Sequence, residues 1–148
     1  MASPTVRSAT RNDAPALATL QEATLAEPQP ELLSLGAEGA LPCLVAVVDD
    51  GPVGYVLAVP DDDEWYVAEL AVAADSRRSG VGTRLLEAVC DRAVRTGTGR
   101  VSLTARADDD RARAFYDAVG FSVERRLPDH YGPDDDPVDG LLFVRRVD

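Results

Sequence analysis

The feature that most constrains the fold is a pair of strand-forming runs on either side of Asp50-Gly51. Residues 43–59 read CLVAVVDDGPVGYVLAV and are rich in β-branched residues before and after this dipeptide. Asp-Gly favours the tight primed turns that join two antiparallel strands. The sequence therefore predicts a β-hairpin here, and with it a sheet that is at least partly antiparallel.

Helices are predicted between the strands. A first helix is expected from Asp13 as its N-cap and Pro15 in its first turn. The segment ELLSLG predicts a short second helix that Gly36 closes. After residue 80 an amphipathic pattern predicts a third helix, whose apolar face carries Val81, Leu85, Val89 and Ala93.

A fourth helix is expected over DDRARAFYDAVGF, residues 109–121, with Gly120 as its C-terminal stop. The other strands predicted are TVRSAT, EWYVAELAV, RVSLTA, FSVERRL and LLFVRRV. The element order is then β-α-α-β-β-β-α-β-α-β-β, which predicts a mixed α/β (α+β) sheet with helices on its faces. Since no linker or internal repeat is visible, we expect residues 1–148 to form a single domain.

Charge and composition exclude several classes of function. The formal net charge is −11, with acidic runs at Asp61–Glu64, Asp108–Asp110 and Asp134–Asp136. Such a chain repels DNA and RNA, so no nucleic-acid partner is expected. We interpret the acidic runs as solvated loops that could favour solubility in a salty cytoplasm.

The sequence gives no sign of a membrane span, a signal peptide or a metal site. No apolar run approaches the ~20 residues that cross a bilayer, and the N-terminus lacks a signal-peptide pattern. We therefore expect a soluble, cytoplasmic protein with no membrane partner. Cys43 and Cys90 lie far apart and His130 is the only histidine, so no metal site is expected.

The segment RRSGVG, residues 77–82, joins a predicted strand to a predicted helix. Gly80 and Gly82 would let the backbone approach a ligand, and the first amides of a helix suit an anion such as phosphate. Arg77 and Arg78 add positive charge. On these residues alone, an anion site and a plain helix-start turn are equally supported. A P-loop is excluded because the chain has no lysine, and a GxGxxG fingerprint is absent.

Two longer segments resemble a known family. LAVAADSRRSGVGTRLLEAV is similar to the acyl-CoA signature of the GNAT N-acyltransferase superfamily, whose turn reads [RQ]-x-x-G-x-[GA]. DDRARAFYDAVGF resembles the family's second signature, N-x-x-A-x-x-F-Y-x-x-x-G-F. The resemblance implies a GNAT-like, mostly antiparallel sheet of about seven strands. It also implies a splay between the two central strands, residues 65–72 and 100–105.

The resemblance implies that the chain binds acetyl-CoA. The pantetheine arm would pair with backbone groups near Leu70, Ala71 and Val72, and the pyrophosphate would sit on the amides of residues 78–83. The implied cofactor residues of the turn are Arg77, Arg78, Ser79, Gly80, Val81, Gly82 and Thr83. Asp109 stands where the family has asparagine, so its contact with the cofactor stays open.

The resemblance also implies the chemistry. Tyr116 matches the family's proton-donating tyrosine. Tyr66 and Glu69 are candidates for handling the acceptor amine, although simple strand alternation places them on opposite faces. Thr104 stands where one related class has a glutamate base and cannot serve as that base.

The sequence constrains the acceptor amine less than it constrains the cofactor. His130 and Tyr131 resemble a tyrosine pair that cradles peptide N-termini in protein N-terminal acetyltransferases. A protein N-terminus and a small primary amine are equally supported as acceptors.

The leading interpretation is an N-acetyltransferase that moves acetyl from acetyl-CoA to a primary amine by direct attack in a ternary complex. One alternative is a non-catalytic acyl-CoA-binding or sensing domain, which would keep RRSGVG but would not need Tyr116. Another is an interaction module whose glycine turn is only structural. The sequence does not determine the oligomeric state, and a homodimer is one option.

Overall fold

The computed structural model describes residues 3–147. Its helices are α1 (Ala14–Thr24), α2 (Pro30–Ala37), α3 (Val81–Arg95) and α4 (Asp110–Ala118), with short 3-10 turns at Arg11–Asp13 and Ala74–Ser76. Its strands are β1 (Thr5–Ser8), β2 (Cys43–Val48), β3 (Gly51–Pro60), β4 (Glu64–Val72), β5 (Arg100–Arg106), β6 (Ser122–Tyr131) and β7 (Val138–Arg146).

The strands form one seven-stranded sheet in the order β1-β2-β3-β4-β5-β7-β6. Every neighbouring pair is antiparallel except the central pair, β4 and β5, which is parallel. The predicted GNAT-like α/β sheet of about seven strands is thus confirmed, and so is the order of its elements.

Helices cover both faces of the sheet, and each face has its own apolar core. On one face α3 buries the predicted stripe of Val81, Leu85, Val89 and Ala93 against the sheet, and α4 packs on the same core. On the other face α1 and α2 bury Leu17, Leu20 and Leu33. We call these the α3–α4 face and the α1–α2 face.

The two central strands separate soon after they meet. β4 and β5 pair at Glu64 with Arg100, Trp65 with Val101, and Tyr66 with Ser102. Within residues 3–147 no later pair joins them, although β4 continues to Val72 and β5 to Arg106. The predicted splay is therefore present, and it leaves an unpaired edge of β4 beside a gap in the sheet.

Two local expectations were wrong. The hairpin turn lies one residue earlier than predicted, because Asp49 and Asp50 take the positive φ values of 50° and 65° and Gly51 already pairs with Val48. Gly36 does not end α2. A Cβ there would lie 2.8 Å from Leu57 Cδ1 and 2.9 Å from Cys43 Cβ, so this glycine allows α2 to approach the sheet closely.

The last two strands are longer than predicted, which brings Tyr131 into β6. None of the helices found in residues 3–147 has the length and apolar character required to cross a bilayer.

Candidate active site

The splay opens into a cavity of about 620 Å³. Its walls come from the unpaired part of β4, from the turn before α3, from α4 and from the end of α1. The lining residues are Thr24, Leu25, Leu70, Ala71, Val72, Ser76, Arg77, Arg78, Gly80, Gly82, Thr83, Asp109, Arg111, Ala112, Phe115 and Tyr116. The cavity thus brings together most of the predicted cofactor residues and Tyr116.

The glycine turn is shaped by backbone conformations that few residues adopt. Gly80 has φ +85° at the N-cap of α3, and Arg78 has φ +67°, which is uncommon for a residue with a side chain. The first amides of α3 have no carbonyl before them within the helix and carry its positive dipole end. The turn therefore presents N–H groups at one end of the cavity.

Gly82 serves a different purpose from Gly80. A Cβ on Gly82 would lie 3.0 Å from Phe115 Cζ, whereas a Cβ on Gly80 would meet nothing within 4 Å. Gly80 thus fits its left-handed φ, and Gly82 allows the close approach of the turn to α4. This approach makes the glycine turn and α4 two walls of one cavity.

The side chains of Arg77 and Ser79 make hydrogen bonds to backbone carbonyls near the turn. The Nε of Arg77 donates to the carbonyl of Val72 at 3.3 Å, which ties the turn to the end of β4. The hydroxyl of Ser79 donates to the carbonyl of Ser76. Val81 turns its side chain into the core, so only its backbone faces a ligand on this turn.

Tyr116 is held in an aromatic cluster on the α3–α4 face. Its ring centroid lies 5.3 Å from that of Phe115 and 5.5 Å from that of Phe143. Burial raises the pKa of Tyr116 to about 12, with smaller contributions from the charges of Asp109, Tyr131 and Tyr66. The hydroxyl therefore keeps its proton at neutral pH and can donate it.

Asp109 acts as the N-cap of α4. Its Oδ1 accepts from the backbone N–H of Ala112 at 3.0 Å. The residue also lines the cavity. Whether the aspartate contacts the cofactor stays a prediction.

Three hydroxyl groups meet on the α1–α2 face. The hydroxyl of Tyr131 donates to Thr104 Oγ1 at 2.9 Å, and the hydroxyl of Tyr66 shares a 2.9 Å hydrogen bond with the same oxygen. We call Tyr66, Thr104 and Tyr131 the hydroxyl cluster. His130 is exposed, and its ring lies edge-on to that of Tyr131 with centroids 4.7 Å apart.

The central member of the hydroxyl cluster was missed at the sequence level. A threonine cannot serve as the base, and the sequence predicts no other role for Thr104. The signal was the alternation in Val-Ser-Leu-Thr-Ala, which places Ser102 and Thr104 on the face opposite Val101, Leu103 and Ala105.

Burial is the largest cause that raises the pKa of Tyr131, and its hydrogen bond to Thr104 opposes that shift.

A bulge in β4 changes the expected position of Glu69. Leu57 pairs with Glu69 and Ala58 pairs with Val67, so Ala68 is an extra residue on β4. Trp65 and Val67 consequently join the α3–α4 core, whereas Ala71 joins the α1–α2 core. The expectation that Tyr66 and Glu69 lie on opposite faces is therefore wrong; both are on the α1–α2 face.

Glu69 is 5% exposed and extensively hydrogen-bonded. Its carboxylate accepts from the Tyr55 hydroxyl, from the Gln21 side chain and from the backbone N–H of Gln29. The sequence did not predict this network, because its members come from different elements.

The cysteines offer no nucleophile. Both are buried, and burial raises the pKa of Cys43 to about 12 and that of Cys90 to about 11. Over residues 3–147, no three His, Cys, Asp or Glu side chains are grouped as a metal ion requires.

The chain is similar to acetyltransferases in sequence and in fold. A model of the acetyltransferase (GNAT) family matches residues 10–121. An uncharacterized N-acetyltransferase of Methanocaldococcus jannaschii is 28% identical over 144 residues, which cover 95% of this chain and 90% of that protein.

Two solved structures have the same fold. The ribosomal-protein-S18-alanine N-acetyltransferase from Escherichia coli gives a TM-score of 0.86 at 21% identity, over 98% of this chain and 94% of that one. The structure of yncA from Salmonella typhimurium with its cofactor acetyl-CoA gives 0.83 at 17% identity, over 99% and 95%.

Proposed function

The chain belongs to the acetyltransferase (GNAT) family, and we propose that its cavity binds acetyl-CoA on the glycine turn and directs the acetyl group to a bound amine. It is an acetyl-CoA-dependent N-acetyltransferase. The observation that carries the proposed site is the continuity of the 620 Å³ cavity, which joins the glycine turn, the unpaired edge of β4 and Tyr116.

The residues present fit acetyl-CoA. The N–H groups of residues 78–83 suit a pyrophosphate, and Arg78 is exposed beside them. The pantetheine arm carries amides, which can pair with the edge of β4 that β5 leaves free, near Leu70, Ala71 and Val72. This arrangement would point the thioester along β4 toward Tyr116.

The proposed transfer is direct. The neutral amine attacks the acetyl carbonyl, the new N–C bond forms and the C–S bond breaks. The Tyr116 hydroxyl donates a proton to the departing sulfur, and the amine gives up a proton to water. The hydroxyl cluster offers oxygens that can hold the amine and the water on the α1–α2 face. The two 2.9 Å hydrogen bonds at Thr104, which bring these hydroxyl groups together, support this role of the hydroxyl cluster.

A protein N-terminus is the first acceptor class that we propose. Tyr131 is the last residue of β6, and its hydroxyl reaches Thr104 on the α1–α2 face, where a peptide would enter. A protein of this fold acetylates the alanine of ribosomal protein S18. A small primary amine is the second class, because the α1–α2 connection, Leu-Ala-Glu-Pro-Gln, has no aromatic residue to hold a peptide.

An acceptor panel tests the proposal. The purified chain is mixed with acetyl-CoA and with N-terminal peptides, polyamines, amino acids or aminoglycosides, and the release of the CoA thiol is measured. We expect release with at least one class and an acetylated product by mass spectrometry. Binding of acetyl-CoA without thiol release from any acceptor would instead favour the acyl-CoA-sensing alternative.

A further inference from the structure

The carboxylate of Glu69 has no free position for a proton from a substrate. Its Oε1 accepts from Tyr55 Oη at 2.8 Å and from Gln21 Nε2 at 2.9 Å. Its Oε2 accepts from Gln29 N at 3.0 Å and from Gln21 Nε2 at 3.2 Å. A carboxylate offers about four lone-pair sites, and donors from within the protein fill them.

The donors come from three parts of the α1–α2 face. Gln21 lies in α1, Tyr55 in β3, and Gln29 directly before α2. Residues 25–29 connect the two helices, and we call them the α1–α2 loop. Because Pro28 and Pro30 have no backbone N–H, the amide of Gln29 is the donor available at this end of the loop.

The α1–α2 loop borders the place where the amine would enter. Leu25 and the preceding Thr24 line the cavity. Glu27 lies close enough to the hydroxyl cluster to contribute to the raised pKa of Tyr131. Glu69 itself directly precedes Leu70, Ala71 and Val72, the edge of β4 in the cavity wall. It therefore links the acetyl-CoA edge of the cavity to the loop on the acceptor side.

We propose that Glu69 is a positioning residue that fixes the α1–α2 loop beside the cavity and so sets the affinity for the acceptor amine. This inference rests on the proposed function. Glu69 accordingly does not receive the amine proton, and the bulge at Ala68 is what turns its side chain toward the loop.

Two substitutions at one position separate positioning from base catalysis. Glu69→Gln keeps the shape of the side chain: its oxygen can accept from Gln29 N–H, and its amide can donate to Tyr55 Oη and to a reoriented Gln21 amide. It removes the basic carboxylate. Glu69→Ala removes both the carboxylate and the anchor.

Steady-state kinetics give the first readout. For Glu69→Ala we expect the acceptor KM to rise about 10-fold, which corresponds to lost hydrogen bonds to a charged group. The acetyl-CoA KM should change less than about 2-fold. For Glu69→Gln we expect kcat within about 3-fold of the parent and an unchanged pH profile. The parallel control is Glu87→Ala, which removes a hydrogen-bonded glutamate of α3 from outside the cavity wall.

Loss of about 100-fold in kcat in Glu69→Gln, together with a changed acidic limb of the pH profile, would overturn the proposal in favour of a base. An unchanged acceptor KM in Glu69→Ala would overturn it as well. Tyr55→Phe, which deletes a single hydrogen bond, provides a milder variant if Glu69→Ala is unstable, and it should raise the acceptor KM about 3-fold.

Hydrogen exchange tests the anchor without any substrate. We expect the amides of Leu25, Ala26, Glu27 and Gln29 to exchange faster in Glu69→Ala than in the parent, and at the parent rate in Glu69→Gln. Equal exchange in Glu69→Ala and the parent would refute the anchor. If the parent protein transferred no acetyl group, the proposed function would fail, whereas this exchange result would still decide what Glu69 holds.

Discussion

At the scale of single residues, Tyr116 carries the proposed chemistry. Its ring is fixed by Phe115 and Phe143, and its hydroxyl stays protonated because burial raises its pKa to about 12. We expect Tyr116→Phe to lower kcat about 100-fold or more, with the dissociation constant for acetyl-CoA within about 2-fold of the parent. Thiol release and calorimetric titration measure the two quantities.

The pH dependence supplies a check on this role. Since the pKa of Tyr116 is about 12, the acid stays protonated through the neutral and mildly alkaline range and is lost only as the pH approaches that value. Undiminished turnover in Tyr116→Phe at alkaline pH would contradict the assignment.

Asp13 carries a second prediction at this scale, and it concerns stability. Arg7 donates to both of its carboxylate oxygens, at 2.8 and 2.9 Å, and the Thr10 amide donates at 2.8 Å. The hydrogen bonds from Arg7, and then that from Thr10, lower the pKa of Asp13 from 3.8 to about 2. Because the pKa of Asp13 is lower in the folded protein than in the unfolded chain, its carboxylate stabilises the fold at pH values above the unfolded pKa. This contribution is lost as the pH falls through about 2.

We therefore expect Asp13→Asn to lower the free energy of unfolding by about 2 kcal/mol at neutral pH. The difference from the parent should shrink as the pH falls from about 4 toward 2. Urea unfolding at several pH values measures it. The matched control is Asp108→Asn, since the Asp108–Arg106 pair is exposed and its loss should leave the midpoint nearly unchanged. A pH-independent effect of Asp13→Asn would contradict the account.

At the scale of elements, the meeting of the glycine turn with α4 forms the cavity. We expect Gly82→Val to weaken acetyl-CoA binding at least about 10-fold, because its side chain would enter the cavity and displace Phe115, whose Cζ lies 3.0 Å from a Cβ at this position. Calorimetric titration with acetyl-CoA measures the change.

The control is Gly99→Val, because a Cβ at Gly99 meets nothing within 4 Å. It should bind acetyl-CoA as the parent does. If Gly82→Val also bound normally, the glycine turn would not be the cofactor site.

The elements also differ in how far the sequence predicts them. The buried stripe of α3 and the strand–turn–helix around Gly80 follow from local periodicity and glycine placement, so both were predicted. The bulge at Ala68 was not, because two residues of β4 opposite one of β3 become visible only when the strands are paired. That one residue decides which face Glu69 occupies.

At the scale of the whole molecule, the excess of acid should make stability depend on salt. The formal net charge of −11 implies repulsion among acidic loops, which dissolved ions screen. We expect the midpoint of thermal unfolding to rise as potassium chloride is added, and to rise less with an equal osmolality of a neutral solute. A midpoint that did not respond to salt would contradict the interpretation of the acidic runs.

The fold was predictable as a whole, whereas two clusters within the site were not. Element order and the two signature segments predict the sheet, the splay and the cofactor end of the cavity. The hydroxyl cluster joins β4, β5 and β6, and the Glu69 network joins α1, β3, β4 and the α1–α2 loop, so neither is local in sequence. The single domain, the cytoplasmic location and the homodimer stay predictions.

The proposed transfer is direct and requires that the protein hold acetyl-CoA and the acceptor amine at the same time. Initial rates measured over a grid of acetyl-CoA and acceptor concentrations test it most directly. We expect double-reciprocal lines that intersect, as a ternary complex requires, in keeping with the burial of Cys43 and Cys90. Parallel lines, together with an acetylated protein isolated in the absence of acceptor, would contradict it.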